Sequence, residues 1–230
     1  DIMHELWAVA DPETVHNIQN AFMEVDAFYI ADGHHRAAAA SRIGEGCDAD
    51  SARSSFLVVA FPDHALKILP YNRVVHHLGN RDTETFLGAM KEIFHVTPLG
   101  SAQAPSVPKH FSMFVDGHWY ELAFRDDSLT QLEDAVKGLD VSLLQDHVLA
   151  PLLGVDDPRT STDIDFVGGI RGLGELEKRA RSYGGVAFAM YPTSMSELLS
   201  VADSGSVMPP KSTWFEPKLR TGMVVNRFRG

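Results

Sequence analysis

The sequence predicts an α/β (α+β) fold, and three observations support that class. Short apolar runs typical of buried strands alternate with amphipathic segments of helical period along most of the 230 residues. Two further apolar runs are joined by Asp116-Gly117, a dipeptide that favours a tight hairpin turn. Hydrophobic residues make up 44% of the chain, so we expect it to bury a sizeable core.

The first eighty residues predict one mixed α/β unit, at 1–80. A helix is expected after Asp11, because Asp11 can cap it, Pro12 suits its first turn and apolar residues follow at helical spacing. Alanines 37 to 40 predict a second helix directly after a polar stretch. The expected elements are, in order, a strand at 4–9, a helix at 11–25, a strand at 28–30, a helix at 34–42, and strands at 54–62 and 66–75.

The remaining residues predict a second α+β region, at 81–230, although the two regions could also form one compact domain. The expected elements are a helix and short strand at 82–99, a hairpin at 109–124, a helix at 141–154 ending at Gly154, a strand at 163–169, a helix at 173–184, a strand at 186–192 and a helix at 193–205. The final segment, "PPKSTWFEPK" at 209–218, is interpreted as a loop.

Charge and cysteine content restrict the possible partners and compartment. The chain has 20 Lys and Arg against 31 Asp and Glu, a net charge of -11 that opposes general attraction to nucleic acid or an anionic membrane. Cys47 is the single cysteine, so no intrachain disulfide is expected, in keeping with a cytoplasmic location. Neither an apolar run long enough to span a membrane nor a signal peptide is expected.

The stretch "ADGHHR" places five polar or special residues between an expected strand and an expected helix. Asp32 ends the strand, Gly33 allows a sharp turn, and His34, His35 and Arg36 begin the helix. Unpaired N–H groups and a positive helix end, together with an arginine, suit a phosphate. Asp32 could take a proton from a hydroxyl or hold Mg²⁺, or it could simply cap the helix. Adjacent histidines rarely share one metal, so no metal site is predicted.

A second polar cluster lies near the end of the chain. Lys211 offers an ammonium group, and Ser212 and Thr213 offer hydroxyls, but the glycine pattern of a P-loop is missing. A solvated loop pinned by its aromatic residues is the alternative interpretation. Lys211 and Arg73 are secondary candidates for the anion at "ADGHHR", and the sequence leaves open whether the two segments meet.

Four segments, "IADGHHRAAAASR", "ILPYNRVV", "DFVGGIRGLGELE" and "VMPPKSTWFEPKL", occur in an order that resembles a conserved family called domain of unknown function 1015. Members usually carry a further N-terminal section, so that section could hold part of the chemistry. The chain also has Ala37 where members commonly have tyrosine, and Tyr71-Asn72 where "THR" is frequent, while Arg73 is kept.

The "DGHHR" stretch itself resembles the ParB and sulfiredoxin-like superfamily, and especially its free-serine kinases. This resemblance implies a ParB-like unit at 1–80, with Asp32 as the base for a serine hydroxyl and with Gly33, His34, His35 and Arg36 around a nucleotide's phosphates. The expected function is therefore a nucleotide-dependent kinase of a hydroxylated, serine-like metabolite, using ATP or ADP with Mg²⁺. The alternative is a non-catalytic nucleotide-binding or phosphate-binding module. The expected partners are a nucleotide and a small molecule, without nucleic acid or membrane.

Overall fold

The computed structural model describes residues 3–48, 51–219 and 222–225. Its α-helices are α1 (Pro12–Met23), α2 (His34–Gly44), α3 (Thr83–Ile93), α4 (Asp140–Leu144), α5 (Ala150–Leu153), α6 (Leu173–Tyr183) and α7 (Met195–Asp203). Its strands are β1 (Lys67–Val75), β2 (Phe94–Leu99), β3 (His110–Val115), β4 (His118–Phe124), β5 (Ile164–Gly168), β6 (Val186–Met190) and β7 (Thr213–Glu216). A π-helical turn, Gln145–Leu149, joins α4 to α5.

One antiparallel sheet contains the seven described strands, and the α+β class is confirmed. Its order is β2-β4-β3-β6-β1-β5, and β7 also pairs with β1. The second half of β1 lies between β5 and β6, whereas its first half, Lys67 to Pro70, pairs with β7. The sheet thus joins strands from both sides of residue 80, and the division into two regions stays a prediction.

Helices cover both faces of the sheet. On one face, Phe86 and Met90 of α3 pack with buried residues of α4, the π turn and α5 against Phe188 and other sheet residues. On the opposite face, Leu176 and Ala180 of α6 pack on the other side of the same strands. Each large apolar side chain that is fully buried in this way stabilises the fold by about 1.5–3 kcal/mol.

Local turn and capping signals predicted several elements correctly. Asp116 and Gly117 have φ values of 47° and 83°, the positive values that a two-residue hairpin turn requires, and they join β3 to β4. Ser194 and Glu197 form a reciprocal capping box at the start of α7. Gly154 adopts the left-handed conformation at the end of α5, as expected from its place at the end of the apolar pattern.

The first 66 residues differ from the prediction. The helices α1 and α2 form, but the segments expected to be strands at 4–9, 28–30 and 54–62 pair with no other strand in the described chain. None of the described residues before Lys67 is buried, and Phe56 to Val59 are each at least half exposed. An apolar pattern shows what a strand could bury, but a strand also needs a partner for its backbone hydrogen bonds.

The length and apolarity of the helices in the described residues can be compared with those of a membrane-spanning helix. Every helix in that part of the chain falls short of the length and apolarity that crossing a bilayer requires.

Candidate functional site

The four sequence segments meet around the first half of β1. Leu69 pairs with Trp214 of β7, and Pro70 pairs with Thr213, which brings the "PPKSTWFEPK" segment onto "ILPYNRVV". On β5, Gly168 pairs with Tyr71 of the same segment. Beyond β7, the chain turns so that Lys218 reaches the "ADGHHR" stretch. The structure therefore answers the question that the sequence left open, because the two polar segments are in contact.

Two glycines allow this close approach. A Cβ atom on Gly168 would lie 2.5 Å from Cε3 of Trp214, and a Cβ atom on Gly169 would lie 2.8 Å from Cδ of Pro70. The indole ring also makes an edge contact with the ring of Tyr71, with 5.3 Å between the centroids. Gly168, at the end of the strand expected at 163–169, thus provides the flat surface on which Trp214 packs.

The N-terminus of α2 is open. Its N-cap residue is Gly33, at φ 91°, and no side chain caps the helix, so Asp32 does not serve as its N-cap. The guanidinium group of Arg36 folds back over Gly33, within 3.0–3.3 Å of the place where a Cβ atom would lie. His34 and His35 are exposed in the same turn. Free N–H groups, the helix dipole and a guanidinium group therefore meet at one exposed place.

Asp32 forms an ion pair with Lys218. The Nζ atom of Lys218 donates to Oδ2 of Asp32 at 2.7 Å, and the two side chains are 43% and 55% exposed. The hydrogen bond from Lys218 is the main cause that lowers the pKa of Asp32, and the charge of Arg36 acts in the same direction. Asp32 is therefore a carboxylate at neutral pH. An exposed pair of this kind contributes only about 0–1 kcal/mol of stability.

A row of cationic and aromatic groups continues from this pair. Nζ of Lys218 lies 5.3 Å from the ring centroid of Trp214, and Nζ of Lys211 lies 5.7 Å from that of Tyr71. The two lysines thus flank the Tyr71–Trp214 aromatic pair. Such a surface offers positive charge beside an aromatic face, the two features to which a nucleotide's phosphates and base are complementary.

The other predicted site residues, Arg73, Ser212 and Thr213, lie beside this row. Arg73 is buried within β1, and its guanidinium group donates to the carbonyl oxygens of Tyr71 and Lys211. The hydroxyl group of Ser212, a buried residue, donates to the carbonyl oxygen of Pro209 at 2.6 Å. Thr213 lies in β7, opposite Pro70. The structure thus brings Arg73 and Lys211 together, whereas Lys218, rather than Lys211, contacts Asp32.

Sequence reasoning missed Lys218, and it also missed β7. Lys211 and Lys218 are two lysines of the same ten-residue segment, and no local signal distinguishes them. The register of β7 against β1 decides which lysine reaches Asp32, and that register depends on residues far apart in the chain. The nearest local signal was the Trp214-Phe215 pair, an aromatic dipeptide typical of a short strand.

The chain has two pairs of adjacent histidines, His34-His35 and His76-His77. Within residues 3–48, 51–219 and 222–225, no three His, Cys, Asp or Glu side chains are arranged to hold a metal ion. His76 stacks on Tyr183 at 3.8 Å between ring centroids, and Nε2 of His77 lies 3.8 Å from Oδ2 of Asp163. Both histidines therefore have structural contacts.

The fold and this site define an α+β protein with a cationic site at a helix N-terminus. Residues 1–142 match the family model described as "Protein of unknown function (DUF1015)", and the chain belongs to that family. The match includes the segments that contain Asp32 and Arg73, and the two later segments lie beyond it. No curated protein matches the sequence.

Solved structures give distant matches. A free serine kinase in complex with AMP is 15% identical, with a TM-score of 0.44, and the match covers 90% of this chain and 81% of that one. A mutant free serine kinase in complex with ADP is 14% identical, with a TM-score of 0.43 and the same coverage. A conserved hypothetical protein from Pyrococcus furiosus is 14% identical, with a TM-score of 0.45, covering 88% of this chain and 81% of that one. Free serine kinases, which the "DGHHR" stretch resembles, are thus among the solved structures to which this chain is similar.

Proposed function

We propose that the N-terminus of α2 and Lys218 bind the phosphates of a nucleotide, and that the protein transfers a phosphoryl group to a hydroxylated small molecule. The observation that carries this proposal is the contact of 2.7 Å between Asp32 and Lys218 at an uncapped helix N-terminus. A carboxylate that can accept a proton and a cation that can hold a phosphate lie side by side there. Phosphoryl transfer needs this combination more than it needs a covalent intermediate.

Binding would begin with the phosphate chain at the first turn of α2. The N–H groups of His34, His35 and Arg36, together with the guanidinium group of Arg36, would donate to phosphate oxygens. Lys211, across the aromatic pair, would provide a second positive charge. The left-handed conformation of Gly33, at φ 91°, keeps this turn free of a Cβ atom that would displace Arg36.

Lys218 would change partner when a phosphate enters. The ion pair with Asp32 is exposed and weak, so moving the ammonium group to a phosphate oxygen costs little. Asp32 would then lose the hydrogen bond that lowers its pKa and become a better proton acceptor. In the transfer step, Asp32 takes the proton of the acceptor hydroxyl, and the hydroxyl oxygen forms a bond to the terminal phosphorus. The bond from that phosphorus to the nucleotide breaks, and the electron pair stays on the nucleotide.

The residues present also fit a Mg²⁺ ion carried by the nucleotide. Mg²⁺ commonly uses one or two protein carboxylates, with phosphates and water as its other ligands. Where Asp32 is the general base, the phosphates and water would hold the ion, which would neutralise charge on the phosphates. Asp32 would be a carboxylate ligand of the ion only in a site without transfer.

One observation favours a second candidate, a nucleotide-binding or phosphate-binding module without catalysis. In the free protein the pKa of Asp32 is lowered, and a carboxylate with a low pKa is a weak general base. In this candidate the phosphate site is the same, but no acceptor is phosphorylated.

The two candidates are separated by one pair of measurements. Thermal-shift titrations with AMP, ADP, ATP, CTP and GTP, each with Mg²⁺, test binding to the wild type, Arg36→Ala and Arg42→Ala. Arg42 lies in the last turn of α2, so its variant removes the same charge away from the site. We expect a shift that is lost in Arg36→Ala and kept in Arg42→Ala. The absence of a shift with every nucleotide would exclude both candidates.

Transfer is tested with radiolabelled nucleotide and a panel of hydroxylated metabolites, serine among them. We expect Asp32→Asn to bind nucleotide like the wild type and to lose transfer by about 10²–10⁴-fold, the usual contribution of a general base. Binding without transfer to any acceptor would favour the non-catalytic candidate. Full activity of Asp32→Asn would refute the role of Asp32.

A further inference from the structure

A cavity of about 400 Å³ lies between the π turn and the start of the "PPKSTWFEPK" segment. Its volume is in the range typical of sites for small molecules. Arg73 and Phe166 line it from the sheet, and Pro209 and Pro210 line it from the segment. Gln145 and Asp146 of the π turn also line it, and π-helical turns frequently mark functional sites.

Arg73 is unusual among the residues that line the cavity, because it is a buried cation. It is 3% exposed, and no Asp or Glu side chain in the described part of the chain forms an ion pair with it. Burial lowers its pKa to about 10, so the guanidinium group stays protonated at neutral pH. A buried cation without a counter-ion is costly, and proteins normally pair it. The cost is offset when the charge is used to bind an anion.

The guanidinium group of Arg73 also has N–H donors that these hydrogen bonds do not use. One N–H of Nη1 donates to the carbonyl oxygen of Tyr71, and one N–H of Nη2 donates to that of Lys211 at 3.3 Å. The ring of Phe166 lies 5.5 Å from the Cζ atom of Arg73 and holds one face. Three of the five N–H groups of an arginine therefore remain for a ligand, and they include a neighbouring pair suited to two oxygens.

The other charges in the cavity indicate which anion fits. Apart from Arg73, the charged residues that line the cavity are three carboxylates and two cations, namely Asp146, Asp156, Asp157, Lys137 and Arg159. Asp157 is already paired with Arg159 through two contacts of 3.0 Å, so the lining other than Arg73 keeps an excess of negative charge. These carboxylates repel a dianionic phosphate more strongly than a single carboxylate. We propose that this cavity binds a small organic molecule through a carboxylate group held by Arg73, at a site separate from the one at Asp32.

The cavity and the phosphate site use different side chains, because Asp32, Arg36 and Lys218 are not among the residues that line the cavity. The two sites are neighbours, since Arg73 donates to the carbonyl oxygen of Lys211. The expectation that Arg73 and Arg36 contact the same anion stays a prediction, and the present proposal gives Arg73 a ligand of its own. Binding at this cavity does not depend on the nucleotide site.

The test follows the Nε–H signal of Arg73 in ¹H–¹⁵N spectra of the whole chain, assigned through its side-chain carbons. Acetate, glycine and inorganic phosphate are titrated separately at constant ionic strength. We expect a saturable shift with acetate or glycine, and a weaker one with phosphate. An unmoved signal with all three probes overturns the proposal, and tighter binding of phosphate overturns its assignment to a carboxylate.

Variants then locate the site by the shifts of the backbone amides around the cavity. Arg73→Lys keeps the charge but loses the paired donors, and we expect affinity for acetate or glycine to fall about tenfold or more. Arg159→Lys is the matched control at the rim of the cavity, where the side chain is 69% exposed, and should bind like the wild type. If Arg73→Lys does not fold, Val136→Phe narrows the cavity and leaves Arg73 in place. Unchanged binding in either folded variant would place the probe elsewhere.

Discussion

Replacing Gly168 by alanine tests whether the packing of Trp214 holds the site together. The added Cβ atom would lie 2.5 Å and 2.7 Å from two carbon atoms of the indole ring. Since carbon atoms in contact are about 3.5–4.0 Å apart, the ring must move by roughly 1 Å. Overpacking of this kind costs about 1–3 kcal/mol, against a gain of about 0.4–1 kcal/mol from reduced freedom in the unfolded chain. We expect a net loss of stability.

The loss should be measured by urea unfolding, with tryptophan fluorescence as a second reading. Gly174→Ala is the matched control, because no atom lies within 4 Å of its added Cβ and the residue is helical. We expect its unfolding midpoint to stay the same or to rise slightly. A Gly168→Ala protein with the wild-type midpoint and wild-type fluorescence would refute the packing argument. If Gly168→Ala also weakens the ion pair at Asp32, the packing of Trp214 positions Lys218.

Two further predictions concern charge and capping. In Lys218→Met, the pKa of Asp32 should rise toward its ordinary value, because the hydrogen bond from Lys218 is lost. The measurement is a ¹³C NMR titration of the Asp32 carboxyl group. An unchanged pKa would show that the ion pair is not formed in solution. Because a lowered pKa adds stability above about pH 3.9 that is lost as the pH falls, the variant should lose less stability on acidification than the wild type. Ser194→Ala removes the capping box of α7 and should cost about 1 kcal/mol in thermal unfolding. Ser200→Ala, at an exposed position of the same helix, is its control.

Local signals predicted the elements that local interactions determine. The hairpin at Asp116-Gly117 forms because both residues tolerate positive φ. Helix α7 begins where the side chains of Ser194 and Glu197 each accept a hydrogen bond from the backbone N–H of the other residue. Neither feature depends on a distant residue. The order of most helices and strands after Lys67 could therefore be predicted from the sequence.

Features that depend on distant partners could not be predicted in the same way. The apolar run from Phe56 to Val59 has the pattern of a buried strand, yet it pairs with no described strand. The reverse occurs at β7, where four residues between prolines form a strand because β1 provides a free edge. The choice of Lys218 over Lys211 is of the same kind, since it follows from the pairing of β7 and not from either lysine.

The contacts that complete the candidate site join residues that are far apart in the sequence, and this affects when they form during folding. Asp32 and Lys218 are 186 residues apart in the chain, and Tyr29 and Asp203, which form a hydrogen bond of 2.6 Å, are 174 apart. Closing such long loops costs conformational entropy, and the contacts of the sheet must form first to offset that cost. The two long-range contacts therefore form late in folding. A nascent chain still being synthesised would lack Lys218 and hold Asp32 without its partner. The proposed chemistry therefore becomes available only after Lys218 has been made and the central sheet has formed.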